Sequence, residues 1–201
     1  MKKTVYFRTF ELEDFNSIYK WMNDDDLKKL SVGLNRKVCK EDALEWLKNR
    51  MHHQDYNVYW AICSIENERI IGYMSLNNIH YINSSAEFGG LIIGEREYQD
   101  GMAWIESYLF LISYTFDRLG LNRLYGVNLI DHTTTNFIGS AFFFQQEGIL
   151  RQAFYKNGQF HDATIGAILK EDYFLHKQKG DYELESVIRR VLNNIKQRKN
   201  V

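Results

Sequence analysis

Proline is absent from this chain of 201 residues, and cysteine occurs only twice. Without proline, turns have to be formed by glycine, asparagine and aspartate, and no rigid proline-rich linker separates domains. Cys39 and Cys63 are far apart and have no partner at metal-ligand spacing, so we interpret both as reduced thiols that pack inside a cytoplasmic protein. The sequence thus predicts one cytoplasmic folded unit without a metal site.

An excess of one charge and a long apolar run are also missing. The chain carries 25 basic and 26 acidic residues, so its overall field offers little attraction to nucleic acid or to anionic lipid. Its apolar runs are shorter than the about 18 residues that a membrane-spanning helix needs, and the first lysines are not followed by the apolar stretch of a signal peptide. We therefore expect neither nucleic acid nor a membrane as a partner.

Hydrophobic periodicity predicts strands that alternate with helices. The predicted strands are a short one at Val5 and Phe7, then 59–65, 70–77, Ser85–Ile93, Arg123–Leu129 and the two runs beside Asn157-Gly158, which suits a type I′ hairpin turn. The predicted helices start near Phe15 and cover about Lys40–Met51, 102–119, 135–144 and 181–199. Since a helix separates Ser85–Ile93 from Arg123–Leu129, these two strands are expected to be parallel neighbours.

This order of elements predicts an α/β, or α+β, architecture. We expect a mixed, mostly antiparallel central sheet of about seven strands flanked by helices, in a main domain over residues 1–172. Residues 173–201 are a helical extension whose C-terminal amphipathic helix carries one apolar stripe. That helix either covers an open flank of the domain, which we favour, or forms the contact of a homodimer. The stripe comprises Leu184, Val187, Ile188, Val191, Leu192 and Ile195.

Five sequence strings carry a resemblance to a known family. They are Ala86-Glu87-Phe88-Gly89, Leu91-Ile92-Ile93-Gly94, the run from Tyr114 to Tyr125, Glu147-Gly148-Ile149-Leu150-Arg151, and Lys156-Asn157-Gly158-Gln159-Phe160-His161-Asp162. With the order of elements, they resemble the GNAT superfamily over about residues 3–172, in its branch of ribosomal-protein N-terminal acetyltransferases. Lys20-Trp21-Met22-Asn23-Asp24 is also similar to amino-sugar N-acetyltransferases, and segment 78–88 to spermidine N-acetyltransferases. The resemblance implies the GNAT fold and transfer of an acetyl group from acetyl-CoA to an amine.

The resemblance also implies where acetyl-CoA binds. In the family, the strand matched here by Gly90 to Ile93 parts from its neighbour, and its backbone binds the pantetheine arm and polarises the thioester carbonyl. The diphosphate lies at the N-terminus of the helix that starts at Met102, where unpaired N–H groups favour anions. The implied cofactor-binding residues are Leu91, Ile92, Ile93, Gln99, Asp100, Gly101, Met102, Ala103, Trp104 and Asn136.

The phosphate-binding segment departs from the family pattern of Arg or Gln, two residues, Gly, one residue, and Gly or Ala. Without a gap, the two small positions fall on Met102 and Trp104. With one residue deleted, Gln99, Gly101 and Ala103 fill the pattern in a shorter loop, which we favour because a large side chain would crowd a phosphate. Asp100 adds a like charge beside the diphosphate. We therefore expect reduced cofactor affinity or a remodelled ligand site.

A second departure concerns proton transfer. The tyrosine with which many family members protonate the leaving thiolate aligns with Gly139, and the asparagine that starts the same helix aligns with His132, one turn before Asn136. Turnover does not require that tyrosine, because a thiol has a pKa of only about 8.5. Glu87 is the candidate catalytic base, by resemblance to a carboxylate that deprotonates the acceptor, although a structural role is an equal alternative. His80 and His132 are lesser candidates.

The interpretation that follows is an N-acetyltransferase that moves an acetyl group to a primary amine of a small molecule, by direct transfer in a ternary complex. An amino-sugar nucleotide is slightly favoured over polyamines and protein N-termini as acceptor. An anionic acceptor would need basic groups such as Lys28, Lys29, Arg36 or Lys37, whereas a polyamine would need carboxylates such as Asp24-Asp25-Asp26. The alternative from another class is a binding or regulatory module that keeps the fold with impaired catalysis.

Overall fold

The computed structural model describes residues 3–29, 36–52, 55–132 and 138–199 and contains one mixed sheet. Its seven strands lie side by side in the order β1-β2-β3-β4-β5-β7-β6, and every neighbouring pair is antiparallel except β4 and β5. The strand count and the parallel pair agree with the prediction. The strands are β1 (Val5–Arg8), β2 (Val58–Ser64), β3 (Ile70–His80), β4 (Ser85–Ile93), β5 (Arg123–Leu129), β6 (Gln145–Lys156) and β7 (Gln159–Leu169).

Helices cover both faces of the sheet. They are α1 (Phe15–Met22), α2 (Asp25–Lys29), α3 (Lys40–Met51), α4 (Met102–Ser113), a short segment α5 over 138–141, α6 (Lys170–Gln178) and α7 (Leu184–Lys199). The predicted helix 102–119 is in fact α4 followed by a π-helical turn, Tyr114–Arg118. Part of the predicted helix 135–144 lies outside the described residues. No helix in the described segments is long and apolar enough to cross a membrane.

Alternate residues of the central strands are buried in two hydrophobic cores, one on each face of the sheet, because successive side chains in a strand point to opposite faces. On one face, Ile62, Leu76 and Ala86 are fully buried in a core that includes α4 and α7. On the other face, Ala61 and Cys63 are fully buried with residues of α1 and α3. Residues of β4 that neighbour Ala86 in sequence, including Glu87, therefore point to the face that carries α1 and α3.

The C-terminal helix covers a flank of the first core. Val187 is fully buried, and Leu184, Ile188 and Val191 pack against the same core. Leu192 and Ile195, which belong to the predicted stripe, are 51% and 42% exposed. Only the N-terminal part of the stripe therefore packs against the core. Helix α6 crosses the predicted boundary at residue 172, with Tyr173 stacked on Phe116 at 4.8 Å between ring centroids. The division of the chain at that residue stays a prediction.

A buried carboxylate fixes the first strand to α4. Glu106 is 6% exposed and accepts hydrogen bonds from the backbone N–H groups of Thr4 (2.9 Å) and Val5 (3.2 Å) and from the Thr4 hydroxyl (2.8 Å). Three donors compensate the cost of burying this charge. The helix that begins at the candidate cofactor site is thus anchored to the edge of the sheet.

Candidate active site

The sheet opens between its two parallel strands. Strands β4 and β5 pair only at Ser85–Arg123, Ala86–Leu124 and Glu87–Tyr125, after which each continues without the other. Strand β5 stays paired with β7 to its end, and β4 stays paired with β3. We call the point of separation after Glu87 and Tyr125 the fork. The parting of strands that the resemblance implied is therefore present.

An irregularity in β4 lies just beyond the fork. Leu76 pairs with Phe88 and Met74 pairs with Leu91, so Ser75 faces both Gly89 and Gly90. A β-carbon on Gly89 would lie 2.2 Å from the Ser75 hydroxyl oxygen, whereas one on Gly90 would meet nothing within 4 Å. Gly89 is therefore required for the close approach of β3, and the extra residue bends β4, as bulges do.

Leu91, Ile92 and Ile93 complete β4 after the bulge. They pair with Met74, Tyr73 and Gly72 of β3 on one side. On the other side, within the described part of the chain, no strand pairs with them. Backbone N–H and C=O groups on that side are therefore available to a ligand with its own donors and acceptors, except for the Ile93 carbonyl, which accepts a hydrogen bond from the Gln99 side chain. That this ligand is the pantetheine arm stays a prediction.

Glu87 lies at the fork, on the face of the sheet that carries α1 and α3. Its Oε2 atom accepts a hydrogen bond of 2.6 Å from the side-chain amide of Asn78 on β3. Tyr125 of β5 is its direct neighbour in register. Burial and the negative charge of Glu87 both raise the pKa of the Tyr125 phenol, so this group stays protonated at neutral pH. Sequence reasoning missed Asn78 and Tyr125, since only strand register brings them to Glu87.

The segment before α4 supplies the candidate phosphate site. Gly101 is the N-cap of α4 and has φ of +100°, a conformation that favours glycine, and a β-carbon there would meet nothing within 4 Å. Met102, Ala103 and Trp104 form the first turn of the helix. The N–H groups of a first turn have no carbonyl partner inside the helix, which makes such an end a potential anion site.

Two polar side chains of this segment bond within the protein. The Gln99 side-chain amide donates to the Ile93 carbonyl at 2.8 Å, which ties the segment to the end of β4. The Asp100 carboxylate accepts from the Met102 N–H at 2.9 Å and so occupies one of the first-turn donors. An incoming diphosphate would compete with Asp100 for this N–H group and would be repelled by its charge.

The large residues of the first turn pack along α4. Trp104 is partly buried and stacks on Tyr108 with 5.5 Å between ring centroids, and Tyr108 in turn stacks on Phe142 at 4.9 Å. Ala103 is 2% exposed. The indole thus belongs to an aromatic row beside the core. Met102 is partly exposed at the helix start.

Helix α1 contacts the start of the same segment. A β-carbon on Gly94 would lie 2.2 Å from the Trp21 ring, so this glycine lets the indole lie against the backbone. The Trp21 N–H donates to Glu95 at 2.9 Å, and Lys20 forms an ion pair with Glu95 at 2.9 Å. The strings Lys20-Trp21-Met22-Asn23-Asp24 and Leu91-Ile92-Ile93-Gly94, noted separately in the sequence, therefore meet in one contact.

Other sequence candidates lie elsewhere or cannot be placed. His80 is exposed and accepts a hydrogen bond from the Asn83 N–H at 3.0 Å in the β3–β4 turn. His132 follows β5, and burial and the charge of Lys156 lower its pKa. Gly139 lies in α5, where a β-carbon would meet only Phe144 at 3.8 Å. Asn136 lies outside the described residues.

Two carboxylates of the acidic cluster near α2 form ion pairs with nearby cations. Asp25 pairs with Lys37 at 2.9 Å, and Asp26 pairs with Lys29 at 2.7 Å and with Arg96 at 3.1 Å. These bonds lower the pKa values of both carboxyl groups. Neither cluster is a patch of one charge in the described part of the chain. In the same part, no three His, Cys, Asp or Glu side chains group together as a metal site would require.

A seven-stranded mixed sheet that forks between parallel strands, with a carboxylate at the fork and a helix N-terminus after the freed strand, defines a GNAT-type acyltransferase fold. A family model described as acetyltransferase (GNAT) domain matches residues 4–136. The chain therefore belongs to the GNAT acetyltransferase family, which confirms the resemblance.

Relatives and solved structures agree with this assignment. An uncharacterized N-acetyltransferase of Bacillus subtilis (strain 168), YoaA, is 27% identical over 79% of this chain and 89% of its own length. The spermidine N(1)-acetyltransferase of Vibrio cholerae serotype O1 is 24% identical over 86% of this chain and 97% of its own length. The crystal structure of the V. cholerae spermidine N-acetyltransferase with CoA and spermine superimposes with a TM-score of 0.76 at 23% identity, covering 85% of this chain and 98% of that one. This similarity supports the fold.

Proposed function

We propose that this protein is an acetyl-CoA-dependent N-acetyltransferase that acetylates a primary amine of a small molecule by direct transfer. The observation that carries the proposal is the fork, where β4 loses its strand neighbour directly after Glu87. It combines a free backbone edge with a carboxylate at one point of the sheet. Direct transfer needs little more than two reactants held together beside a proton acceptor.

Each part of the site has a defined task in this proposal. Acetyl-CoA supplies the acyl thioester. The free backbone groups of Leu91 to Ile93, apart from the Ile93 carbonyl that Gln99 occupies, would bind its pantetheine arm, and N–H groups of this stretch would hydrogen-bond the thioester carbonyl. Glu87 takes a proton from the acceptor ammonium, directly or through a water molecule, so that the amine is neutral when it attacks. No acid is needed for the leaving thiolate, because its pKa is only about 8.5.

The residues at the start of α4 fit a diphosphate with one reservation. Gly101 is open to solvent on its β-carbon side, and the first turn offers N–H groups. The shortened pattern of Gln99, Gly101 and Ala103 is favoured because the Trp104 ring stacks on Tyr108 along the helix. The reservation is Asp100, whose bond to the Met102 N–H must break when a phosphate takes that donor. We therefore propose weak, measurable cofactor binding.

The acceptor is proposed only at the level of a small-molecule amine. The named activity of the V. cholerae relative suggests polyamines as the first compounds to test. The carboxylates of α2 that would bind a polyamine are already paired with Lys29, Lys37 and Arg96. The same ion pairs make these cations less available to an anionic amino-sugar nucleotide. Both classes, and a peptide N-terminus, therefore belong in the first screen.

Release of CoA thiol from acetyl-CoA in the presence of each amine tests the proposal. We expect one amine class to be acetylated, and we expect Glu87→Gln to lower kcat by about 100-fold or more while acetyl-CoA affinity is unchanged. Glu171→Gln, which removes an exposed carboxylate on α6, is the control for the loss of charge. A Glu87→Gln variant with the kcat and pH–rate profile of the unaltered chain would remove Glu87 from the base role.

A second candidate function is favoured by the two internal bonds of Gln99 and Asp100. If those bonds persist when acetyl-CoA is present, Asp100 keeps both its charge and the Met102 N–H at the first turn of α4, phosphate is disfavoured there, and the chain is a binding or regulatory module with impaired catalysis. Absence of acetyl transfer to every amine class, together with absence of acetyl-CoA binding, would favour this candidate.

A further inference from the structure

Asn78 approaches Glu87 from an unusual backbone conformation. It has φ of +50° in the irregular stretch of β3 between Asn77 and His80, and its N–H donates to the Asn57 side chain at 3.2 Å. Asparagine tolerates this left-handed conformation better than most residues. The result is that its side-chain amide reaches across to Glu87 Oε2 at 2.6 Å.

Tyr125 lies opposite Glu87 in register on the neighbouring strand. Burial and the negative charge of Glu87 raise the pKa of its phenol. The Arg123 guanidinium lies 5.7 Å from the centre of the Tyr125 ring and forms a two-pronged ion pair with Glu147 of β6. Adjacent strands β3, β4 and β5 thus contribute one residue each to a polar cluster at the fork.

One oxygen of Glu87 is left over in this cluster. Oε2 is bound by Asn78, whereas Oε1 accepts no hydrogen bond from any residue that the structure describes. We propose that Asn78 is a positioning residue that holds Glu87 ionised and oriented, with Tyr125 as the neighbouring group that senses the Glu87 charge and Oε1 as the atom that takes the proton of the acceptor. This inference rests on the proposed function and concerns residues to which the resemblance assigned no part in catalysis.

The proton balance of the step is simple. The acceptor ammonium loses a first proton to Oε1, its nitrogen forms a bond to the acyl carbon, and the carbon–sulfur bond breaks to release the thiolate. The nitrogen loses its second proton as the amide forms, and the thiolate takes up this proton directly or through solvent. Glu87 then returns the proton to solvent. The Asn78 donor favours the charged form of Glu87, because a hydrogen bond to a carboxylate stabilises the ion.

The surroundings of Glu87 contain few groups that could titrate in its place. Asn78 is uncharged, and the phenol of Tyr125 stays protonated, since its pKa is raised. The charges of Arg123 and Glu147 are matched in one ion pair, which lowers the pKa of the Glu147 carboxyl. His80 is turned to Asn83. A change in the pH–rate profile on altering Asn78 would therefore report on Glu87.

Asn78→Asp and Asn78→Ala are the informative variants. The aspartate has the same shape but places a second carboxylate beside Glu87, so we expect the acid limb of kcat/KM to move up by about one pH unit or more. The alanine removes the donor, and we expect kcat to fall about 10-fold with KM for acetyl-CoA nearly unchanged. Asn83→Asp adds the same charge to the exposed β3–β4 turn and should leave the profile in place.

A titration of Tyr125 by NMR of ring-labelled tyrosine tests the cluster without turnover, with Tyr125→Phe to assign its signal. Glu87→Gln should lower the pKa of Tyr125 by removing a negative charge, and Asn78→Asp should raise it. An active enzyme whose pH–rate profile is the same in the unaltered chain, in Asn78→Asp and in Asn78→Ala overturns the inference alone. A chain that transfers no acetyl group overturns the proposed function, and the inference with it, even where Tyr125 responds as expected.

Discussion

The fork at Glu87 and the N-terminus of α4 at Gly101 are the two ends of the candidate site, and they use their polar side chains differently. At the fork, Asn78 engages one oxygen of Glu87 and leaves the other for a ligand. At the helix, Gln99 and Asp100 bond to the backbone of their own segment. Under the proposed function, the fork would carry the chemistry, whereas the helix end would have to exchange an internal bond for its ligand. The proposal of an active enzyme with weak cofactor affinity rests on this contrast.

The largest effect is expected at Gly94, which lies between the two ends in sequence and contacts Trp21 of α1. Gly94→Ala places a β-carbon 2.2 Å from the Trp21 ring, which is buried and cannot move freely. We expect a loss of about 1–3 kcal/mol in the free energy of unfolding, measured by urea denaturation. Gly90→Ala, on the strand β4 that precedes Gly94, is the matched control, since its β-carbon meets nothing within 4 Å. Equal stability of the two variants would contradict the Trp21 contact.

A smaller effect is expected at the helix end alone. Asp100→Asn removes the like charge beside the diphosphate while retaining an oxygen that can accept from the Met102 N–H. We expect acetyl-CoA to bind about 5- to 10-fold more tightly, which corresponds to about 1 kcal/mol, with kcat nearly unchanged. Calorimetric titration measures this change, with Glu171→Gln as the control for net charge. Weaker binding by Asp100→Asn would mean that the carboxylate assists the cofactor.

The smallest effect concerns acid stability of the same segment. Burial alone would raise the pKa of Glu95, but the bonds from Lys20 and Trp21 outweigh it and hold the pKa below its usual value. A lowered pKa in the folded state means that Glu95 stabilises the fold fully above the unfolded value, about 4.3, and loses this contribution as pH falls further. At pH 6 the unaltered chain should therefore have a larger free energy of unfolding than Glu95→Gln. This gap should shrink by on the order of 0.5 kcal/mol between pH 6 and pH 3. A gap that stays constant would contradict the assignment.

Much of the scaffold follows from sequence pattern, because its strands and long helices bury regular apolar positions. The bounds Ser85–Ile93, Arg123–Leu129 and Lys40–Met51 agree with the prediction. Helix α2 was missed, since it has five mostly charged residues, and α6 was predicted only as part of the helical extension 173–201, without bounds of its own, since it buries only Tyr173. The apolar stripe of α7 was overextended, because periodicity does not tell where the covering surface ends.

The candidate site was predictable only where it depends on consecutive residues. Glu87 and the segment from Gln99 to Trp104 can be recognised as short stretches of sequence that match or depart from the family pattern. The ligands that they would bind stay predictions. Asn78 and Tyr125 could not be found in this way, because their approach to Glu87 depends on a bulged strand register and a parallel pairing. The mutual pairing of Asp25 and Asp26 with cations also needs three-dimensional proximity that charge counting does not give.

Calorimetric titration of the unaltered chain with acetyl-CoA tests the central claim most directly. The claim is that the freed edge of β4 and the first turn of α4 together form an acetyl-CoA site, in spite of Asp100. The account predicts saturable binding of one molecule per chain with a Kd at or below about 1 mM, the upper end of usual enzyme–substrate affinities. No heat of binding at that concentration, from a chain that is folded by circular dichroism, would contradict it.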